Sequence, residues 1–338
     1  MINVAVLGAS GYTALEVIKI LLRHPHAKIV ACISRQEGTP LVSSIHPSLA
    51  KRIDLRCEEL DLGSLKEKGV QCVFSCLPHG ASMEVIPKLI KAGIRVIDLS
   101  ADYRLKDPVI YKKWYGEEHL DLSGLASAVY GLPEFNSFDI KTCNLLANPG
   151  CYPQTAILGL APLLVEKLIH PEQIIVDSKS GVSGAGRNPK QATHFPECNE
   201  SVSAYQVGKH RHTPEMEQAL EKVSGEKVKI MFTPHLIPMD RGIFSTIYAK
   251  PKKEISELAI NELVGNFYKD KPFIRLVDHL PSTKDSVGTN YVDLHYKVAG
   301  DYIVVLAAED NLIRGASGVA MQNFNLMFGF PEVTALLP

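Results

Sequence analysis

The sequence lacks the marks of several large protein classes. No apolar run approaches the ~20 residues needed to cross a bilayer. The chain opens Met1-Ile-Asn-Val-Ala-Val-Leu-Gly8, without the basic lead, apolar stretch and small-residue cleavage site of a secretory leader. Its 36 basic and 37 acidic residues leave a formal net charge of -1. That balance excludes a broad nucleic-acid or anionic-membrane footprint, so any anion site is built locally. The 7 cysteines (Cys32, Cys57, Cys72, Cys76, Cys143, Cys151 and Cys198) form an odd set with no Cys-x-x-Cys pair. They are neither a disulfide framework nor a zinc ribbon. These absences predict a cytoplasmic globular protein with no structural metal, no membrane and no nucleic acid among its partners.

What is present is a globular composition, 46% hydrophobic over 338 residues, long enough for two cores. The first 100 residues alternate two hydrophobic periods. Ile2 to Leu7, Lys28 to Ile33, Val70 to Leu77 and Ile94 to Leu99 read as strands, with helical spacing over Ala14 to Leu22 and Met83 to Lys91. Strands alternating with helices predict βαβ units on a parallel sheet, an α/β doubly wound fold of Rossmann type. The rhythm changes after Asn148-Pro149-Gly150. An apolar helix, Thr155 to Leu168, kinked or broken near Pro162, leads into strand-like segments 173–178, 228–234, 243–250, 290–298 and 302–308. This predicts an α+β domain on a largely antiparallel sheet. Residues 315–328 are helical in pattern and are expected to return to the first domain. The expected organisation is 1–149 with 315–338 for the dinucleotide and 150–314 for substrate and dimerisation.

Gly8-Ala-Ser10-Gly11-Tyr12-Thr13-Ala14 lies between the first strand and the first helix. Glycines there let the backbone turn tightly and approach a pyrophosphate resting on the helix N-terminus. The spacing is G-x-x-G-x-x-A rather than the full G-x-G-x-x-G, so the motif is weak by itself. The end of the second strand sharpens it. An NAD site carries an acid there for the ribose hydroxyl, whereas this strand ends Ile33-Ser34-Arg35 with no acid before Glu37. Arg35 with Ser34 suits a 2′-phosphate and favours NADP.

Of the cysteines, Cys32, Cys72 and Cys76 lie in or beside expected buried strands, where cysteine is a small hydrophobe. Cys151 differs. It sits in Asn148-Pro-Gly-Cys151-Tyr-Pro153, just before a helix for which Pro153 suits the first position. Unpaired amides and the positive end of the helix dipole favour thiolate there. A base comes from Lys209-His210-Arg211-His212-Thr213-Pro214-Glu215, read as a loop with Thr213 as N-cap of a further helix. Two histidines without a third ligand at matching spacing do not make a metal site. A histidine handling protons, flanked by Lys209 and Arg211 to attract an anion, fits the segment, as does a solvated basic loop.

Together these residues resemble the N-acetyl-γ-glutamyl-phosphate reductases of arginine biosynthesis. The likeness runs through Cys76-Leu-Pro-His-Gly80, Asp98-Leu-Ser-Ala-Asp-Tyr-Arg104, Tyr130-Gly-Leu-Pro-Glu134, Asn148-Pro-Gly-Cys-Tyr-Pro153, Ser180-Gly-Val-Ser-Gly-Ala-Gly-Arg187, His210-Arg-His212 and Pro234-His-Leu-Ile-Pro-Met239. The resemblance implies NADPH-dependent reduction of an acyl phosphate to an aldehyde through a Cys151 thioester, in a homodimer or homotetramer. It implies His210 as the proton-handling residue, with His212 the alternative. It places Leu77 and Pro78 in the nicotinamide loop and Asn323 at the carboxamide. The Gly181 to Gly186 loop, with Gly184 at its centre, reads as a lid, a phosphate cradle or an exposed connection. Arg104 is the first choice for the substrate's phosphate or carboxylate, ahead of Lys209, Arg187 and Arg211. Rival readings are a reductase of aspartyl phosphate or carrier-bound aminoadipyl phosphate, and a non-catalytic NADP-binding redox sensor.

Overall fold

The computed structural model describes residues 1–337. The chain divides into two compact units, Met1–Pro149 together with the chain from Ala316 on, and Gly150–Gly315.

The first unit holds seven strands: β1 (Ile2–Leu7), β2 (Ala27–Ile33), β3 (Cys57–Glu58), β4 (Cys72–Ser75), β5 (Arg95–Asp98), β6 (Val129–Tyr130) and β7 (Leu145–Ala147). They run in the order β3-β2-β1-β4-β5-β7-β6, and every ladder is parallel. Such a sheet is covered on both faces, which is why its strands read as unbroken apolar runs. All four residues of β4 are buried. The winding reverses between β1 and β4, so the loops after these two strands open onto the crevice where open α/β sheets take ligands. The helix Gly318–Met327 returns to this unit, buried at all ten positions. His24 Nε2 meets Asn325 Oδ1 at 2.9 Å, and Asn323 Nδ2 donates to the Gly131 carbonyl at 2.8 Å.

The second unit carries β8 (Ile169–Ser180), β9 (Ser203–Ala204), β10 (Ile230–Leu236), β11 (Ile243–Pro251), β12 (Ile274–Leu276), β13 (Val292–Ala299) and β14 (Tyr302–Glu309). Their order is β12-β13-β14-β11-β8-β10-β9. The sheet is mixed: β8 with β10 and β12 with β13 are parallel, and the other four ladders are antiparallel. The helix Cys151–Val165 lies on it, with every side chain from Tyr152 to Leu164 buried. It begins at Cys151, not at Pro153 or Thr155, and Pro162 does not break it. Proline at that position frees the Leu158 carbonyl one turn back, and the Tyr268 hydroxyl donates to that carbonyl at 2.7 Å. The replacement hydrogen bond lets the helix run on to Val165.

Candidate active site

In the first unit the loop after β1 is shaped by Gly8. Its φ is +71°, and a Cβ there would lie 2.4 Å from the Cys76 carbonyl oxygen, so only glycine fits. The Ala9 amide donates to the Ile33 carbonyl at 3.0 Å. Gly11 is the extended N-cap of the helix Tyr12–Leu21 and supplies no side chain to its first amides. Ala14, where a third glycine was expected, is fully buried and permits close helix packing. This short loop leaves Ser10, Tyr12 and Thr13 partly or fully accessible at the start of the helix, where backbone amides can receive an anion.

Two further segments border the same end of the sheet. Ser34 is buried, its Oγ accepting the Gln36 amide, while Arg35 is exposed. Arg35 lines a cavity of about 450 Å³ with Gly80, Met83 and three carboxylates, Glu84, Glu117 and Glu118. Leu77 and Pro78 stand in the loop after β4, half-buried and exposed. That loop is tied down: the Gly80 amide donates to both oxygens of buried Asp102, and His79 Nδ1 accepts the Ala101 amide at 3.0 Å. Nearby, burial pushes the Asp98 carboxyl up to about 6 against the opposing pull of its serine hydrogen bonds.

Two residues expected at ligands are placed differently. Arg104 is buried, with Nε donating to the Asn148 carbonyl at 2.8 Å and an Nη donating to the Leu99 carbonyl at 3.1 Å. It braces the segment leading to Cys151 rather than facing solvent, because a guanidinium out of water must satisfy its donors inside. Asn323 is also fully buried, with Nδ2 shared between the Gly131 carbonyl and Asn148 Oδ1. Its Oδ1 has no hydrogen-bond partner among the described residues.

In the second unit Cys151 is the first residue of its helix, half-buried, after the extended N-cap Gly150. The Gly150 amide donates to Glu215 Oε1 at 2.7 Å, and Glu215 is 1% exposed. Gly315 packs on the nucleophile from the other side: a Cβ there would lie 2.8 Å from Cys151 Cβ and 3.0 Å from Glu309 Oε1. Gln154, one turn along the helix, donates to the Arg314 carbonyl at 2.9 Å and keeps its Oε1 buried without a hydrogen-bond partner. Five of the other six thiols are poor nucleophiles. Burial pushes Cys32 up to about 12 and Cys143 to about 11, and it raises Cys57, Cys72 and Cys76 as well.

His210 is buried, and desolvation, aided by the adjacent Arg211 charge, lowers it to about 4. Its Nδ1 accepts the His212 amide at 3.1 Å, so the neutral ring carries its proton on Nε2. The ring stands edge-on to Tyr152, the neighbour of Cys151, at 5.6 Å, and to Phe232 at 5.2 Å. The Tyr152 and Tyr205 hydroxyls pair at 2.9 Å beneath it. His212 is half-buried and opens the helix His212–Ser224, one residue before the expected cap Thr213. The two histidine rings lie 4.7 Å apart. No group of side chains among the described residues is arranged to hold a metal ion. Arg211 is half-buried, whereas Lys209, Arg187 and Gly184 are exposed. The Gly184 turn is held rather than loose: Ser183 Oγ donates to the Asp240 carbonyl at 2.6 Å and accepts from Asn311 Nδ2 at 3.0 Å.

Residues 3–143 match the semialdehyde dehydrogenase NAD-binding domain, and residues 151–311 match the semialdehyde dehydrogenase dimerisation domain. A protein of Rhodopirellula baltica called N-acetyl-gamma-glutamyl-phosphate reductase is 49% identical, over 99% of this chain and 98% of its own. A protein of the same name from Halothermothrix orenii is 45% identical over the same shares. The chain belongs to the N-acetyl-gamma-glutamyl-phosphate reductase family. Solved structures carry the fold alone. Aspartate semialdehyde dehydrogenase II of Vibrio cholerae superposes with a TM-score of 0.72 at 17% identity, over 97% of this chain and 98% of the other. The Candida albicans aspartate semialdehyde dehydrogenase, solved with NADP, gives 0.68 at 15% identity over the same shares.

Within this reductase family member the sequence reading missed Gln154, Glu215, Glu309, Arg314 and Gly315. Glu215 carried a signal, since it closes the His-Arg-His-Thr-Pro-Glu run five residues after His210. Gln154 follows Cys151 by three, one helical turn. Glu309, Arg314 and Gly315 lie more than 150 residues further on and gave no local hint.

Proposed function

We propose that this protein reduces N-acetyl-γ-glutamyl phosphate to N-acetylglutamate 5-semialdehyde and phosphate with NADPH, in arginine biosynthesis. The observation that carries the reading is the setting of Cys151. It is half-buried at the first position of a helix whose N-cap offers no side chain, while burial raises five of the other six thiols. Its thiolate attacks the γ-carbonyl, the C–O bond to phosphate breaks, and a thioester remains. NADPH, when bound, supplies hydride to that carbon. The tetrahedral alkoxide then re-forms its C=O, and the electron pair of the breaking C–S bond returns to Cys151.

The protein's part is to hold charge and proton. The Cys151 amide, on the first helical turn, is the candidate donor to the transient oxyanion; the Gly150 amide is engaged by Glu215, and Pro153 has none. His210 holds a proton at Nε2 and donates there to the thiolate or the alkoxide. A ring lowered to about 4 is neutral at neutral pH, so Nε2–H serves there as a hydrogen-bond donor rather than as an acidic proton. With Arg104 turned inward, the substrate's anionic groups fall to Arg211, Lys209 and Arg187, with His212 beside them.

The dinucleotide is assigned to residues 1–149 with the chain from Ala316 on, and the substrate to 150–315, one residue beyond the expected boundary. Three observations fit NADP: the Gly8 turn, exposed Arg35 just after β2, and the unmatched acceptor Asn323 Oδ1, which suits a carboxamide amine. Gly8, Ser10, Gly11, Tyr12 and Thr13 would hold the phosphates, Ser34 and Arg35 the 2′-phosphate, and Leu77 and Pro78 the nicotinamide. Gly184 is proposed as a further cofactor contact. We assign a homodimer or homotetramer built on the outer face of the second sheet. There exposed Met231, Ile175 and Tyr248 are paired across β10, β8 and β11. Seven free cysteines suit the cytoplasm, and no helix among the described residues is long and apolar enough to cross a membrane.

The test is the reverse reaction: NADP with N-acetylglutamate semialdehyde, with and without phosphate, followed by nicotinamide absorbance. Phosphate-dependent reduction with this aldehyde and little with aspartate semialdehyde is expected. Turnover on a different semialdehyde alone would move the substrate, and none on any would remove the enzymatic reading.

A further inference from the structure

His46 lies outside every motif named above, yet it is buried and its Nε2 sits 2.8 Å from the Ala9 carbonyl oxygen. A carbonyl only accepts, so Nε2 carries the proton and donates it. Ala9 is the second residue of the Gly8–Gly11 cradle and is itself fully buried.

The consequence follows from peptide geometry. In a trans peptide the C=O of one residue and the N–H of the next point to opposite sides of the plane. Drawing the Ala9 carbonyl inward therefore turns the Ser10 amide outward, to the open side of the cradle. Gly8 sets the turn on one flank through its positive φ, and the Gly11 amide closes it by donating to the Gly8 carbonyl at 3.2 Å. The imidazole holds the Ala9–Ser10 peptide between them from outside the turn.

His46 is well placed to do this. It joins two short helical turns, Val42–Ile45 and Pro47–Leu49, donating its amide to the Val42 carbonyl at 2.9 Å and accepting from the Leu49 amide at 2.9 Å. Val42 and Leu49 are fully buried, so the pivot is anchored in the core. The same excursion between β2 and β3 begins with Ser34 and Arg35, so it reaches the dinucleotide site at two points.

We propose that His46 is a positioning residue for dinucleotide binding, fixing the Ala9–Ser10 peptide so that the Ser10 amide faces the pyrophosphate. The inference rests on the reading that the first unit binds NADP. His46→Met removes the donor, and the dissociation constant for NADP, measured by calorimetry, is expected to rise about tenfold. His46→Gln, whose amide nitrogen takes the place of Nε2, is expected to stay within about twofold of the parent. Adenosine 2′-monophosphate, which has no pyrophosphate, should bind all variants alike. Should the Met variant fail to fold, His46→Asn, polar but too short to reach Ala9, takes its place with the same expected loss. Equal NADP affinity in the parent and the Met or Asn variant overturns the inference, as does equal weakening of both ligands. Loss of NADP affinity in the Gln variant as large as in the Met variant does so too. A parent protein that binds no NADP would instead overturn the reading beneath it.

Discussion

Glu215 accepts the amide of Gly150, so a buried carboxylate closes the cap of the helix that Cys151 begins. The arrangement has two opposing effects on the thiol. It fixes the turn that aims the sulfur, and it sets a negative group where the helix dipole is positive. Since the oxygen is engaged with the amide, the fixing is the part open to direct test. Glu215→Leu leaves the Gly150 donor buried and unmatched and is expected to cost about 1–3 kcal/mol of stability. Urea unfolding measures it. Glu215→Gln retains an acceptor and should recover most of the loss, and Cys151 alkylation rates on the folded variants should follow the same order.

Gly315→Ala tests the opposite side of the same residue. The added methyl would lie 2.8 Å from Cys151 Cβ, so the nucleophile must shift. A displacement near 1 Å costs about a hundredfold in rate. The expected result is a fall in kcat of that order with NADP affinity unchanged. Normal turnover would mean that the helix start yields without consequence.

Gly8 and Gly11 should differ sharply although both belong to one motif. Alanine at Gly8 meets the Cys76 carbonyl at 2.4 Å and must hold φ +71°, whereas at Gly11 the nearest atom is 3.7 Å away. Gly8→Ala is expected to lose at least about 1–2 kcal/mol of stability from the left-handed backbone alone, together with NADP binding. Gly11→Ala should fold normally. Thermal unfolding with and without NADP separates the two.

His210 makes stability depend on pH. Its folded value near 4 lies below the unfolded 6.5, so between those limits the unfolded chain binds the extra proton. The contribution is complete above about pH 6.5 and is lost as pH falls through about 4. Asp98, raised to about 6, titrates in the opposite sense, stabilising as pH falls from 6 toward 3.8. The difference between the parent and His210→Asn isolates the histidine, since Asn Oδ1 can still accept the His212 amide. The variant's urea stability should fall less steeply from pH 6.5 to 4, by up to ~3 kcal/mol. Parallel curves would mean that His210 is readily protonated in the folded protein.

Much of this protein was legible along the chain because the physics there is local. Buried parallel strands must be apolar throughout, and β1, β2, β4 and β5 were found within three residues at either end. A cysteine after Pro-Gly and before a helix is a neighbour relationship, and only its position moved, to the first helical residue. Pro162 misled because its usual penalty is a missing hydrogen bond, and the replacement came from Tyr268, over 100 residues away. The tertiary structure alone decided which polar groups are committed to the fold. Arg104 reads as an anion binder until Asn148 and Leu99 claim its donors, and Asn323 lies wholly inside. Glu215 reaches Gly150 across 65 residues and His46 reaches Ala9 across 37. The sequence determined the two chemistries, a dinucleotide turn and a nucleophilic thiol, because each is written in adjacent residues. Folding determined which distant groups hold them in place, because a hydrogen bond between far-separated residues has no local pattern to announce it.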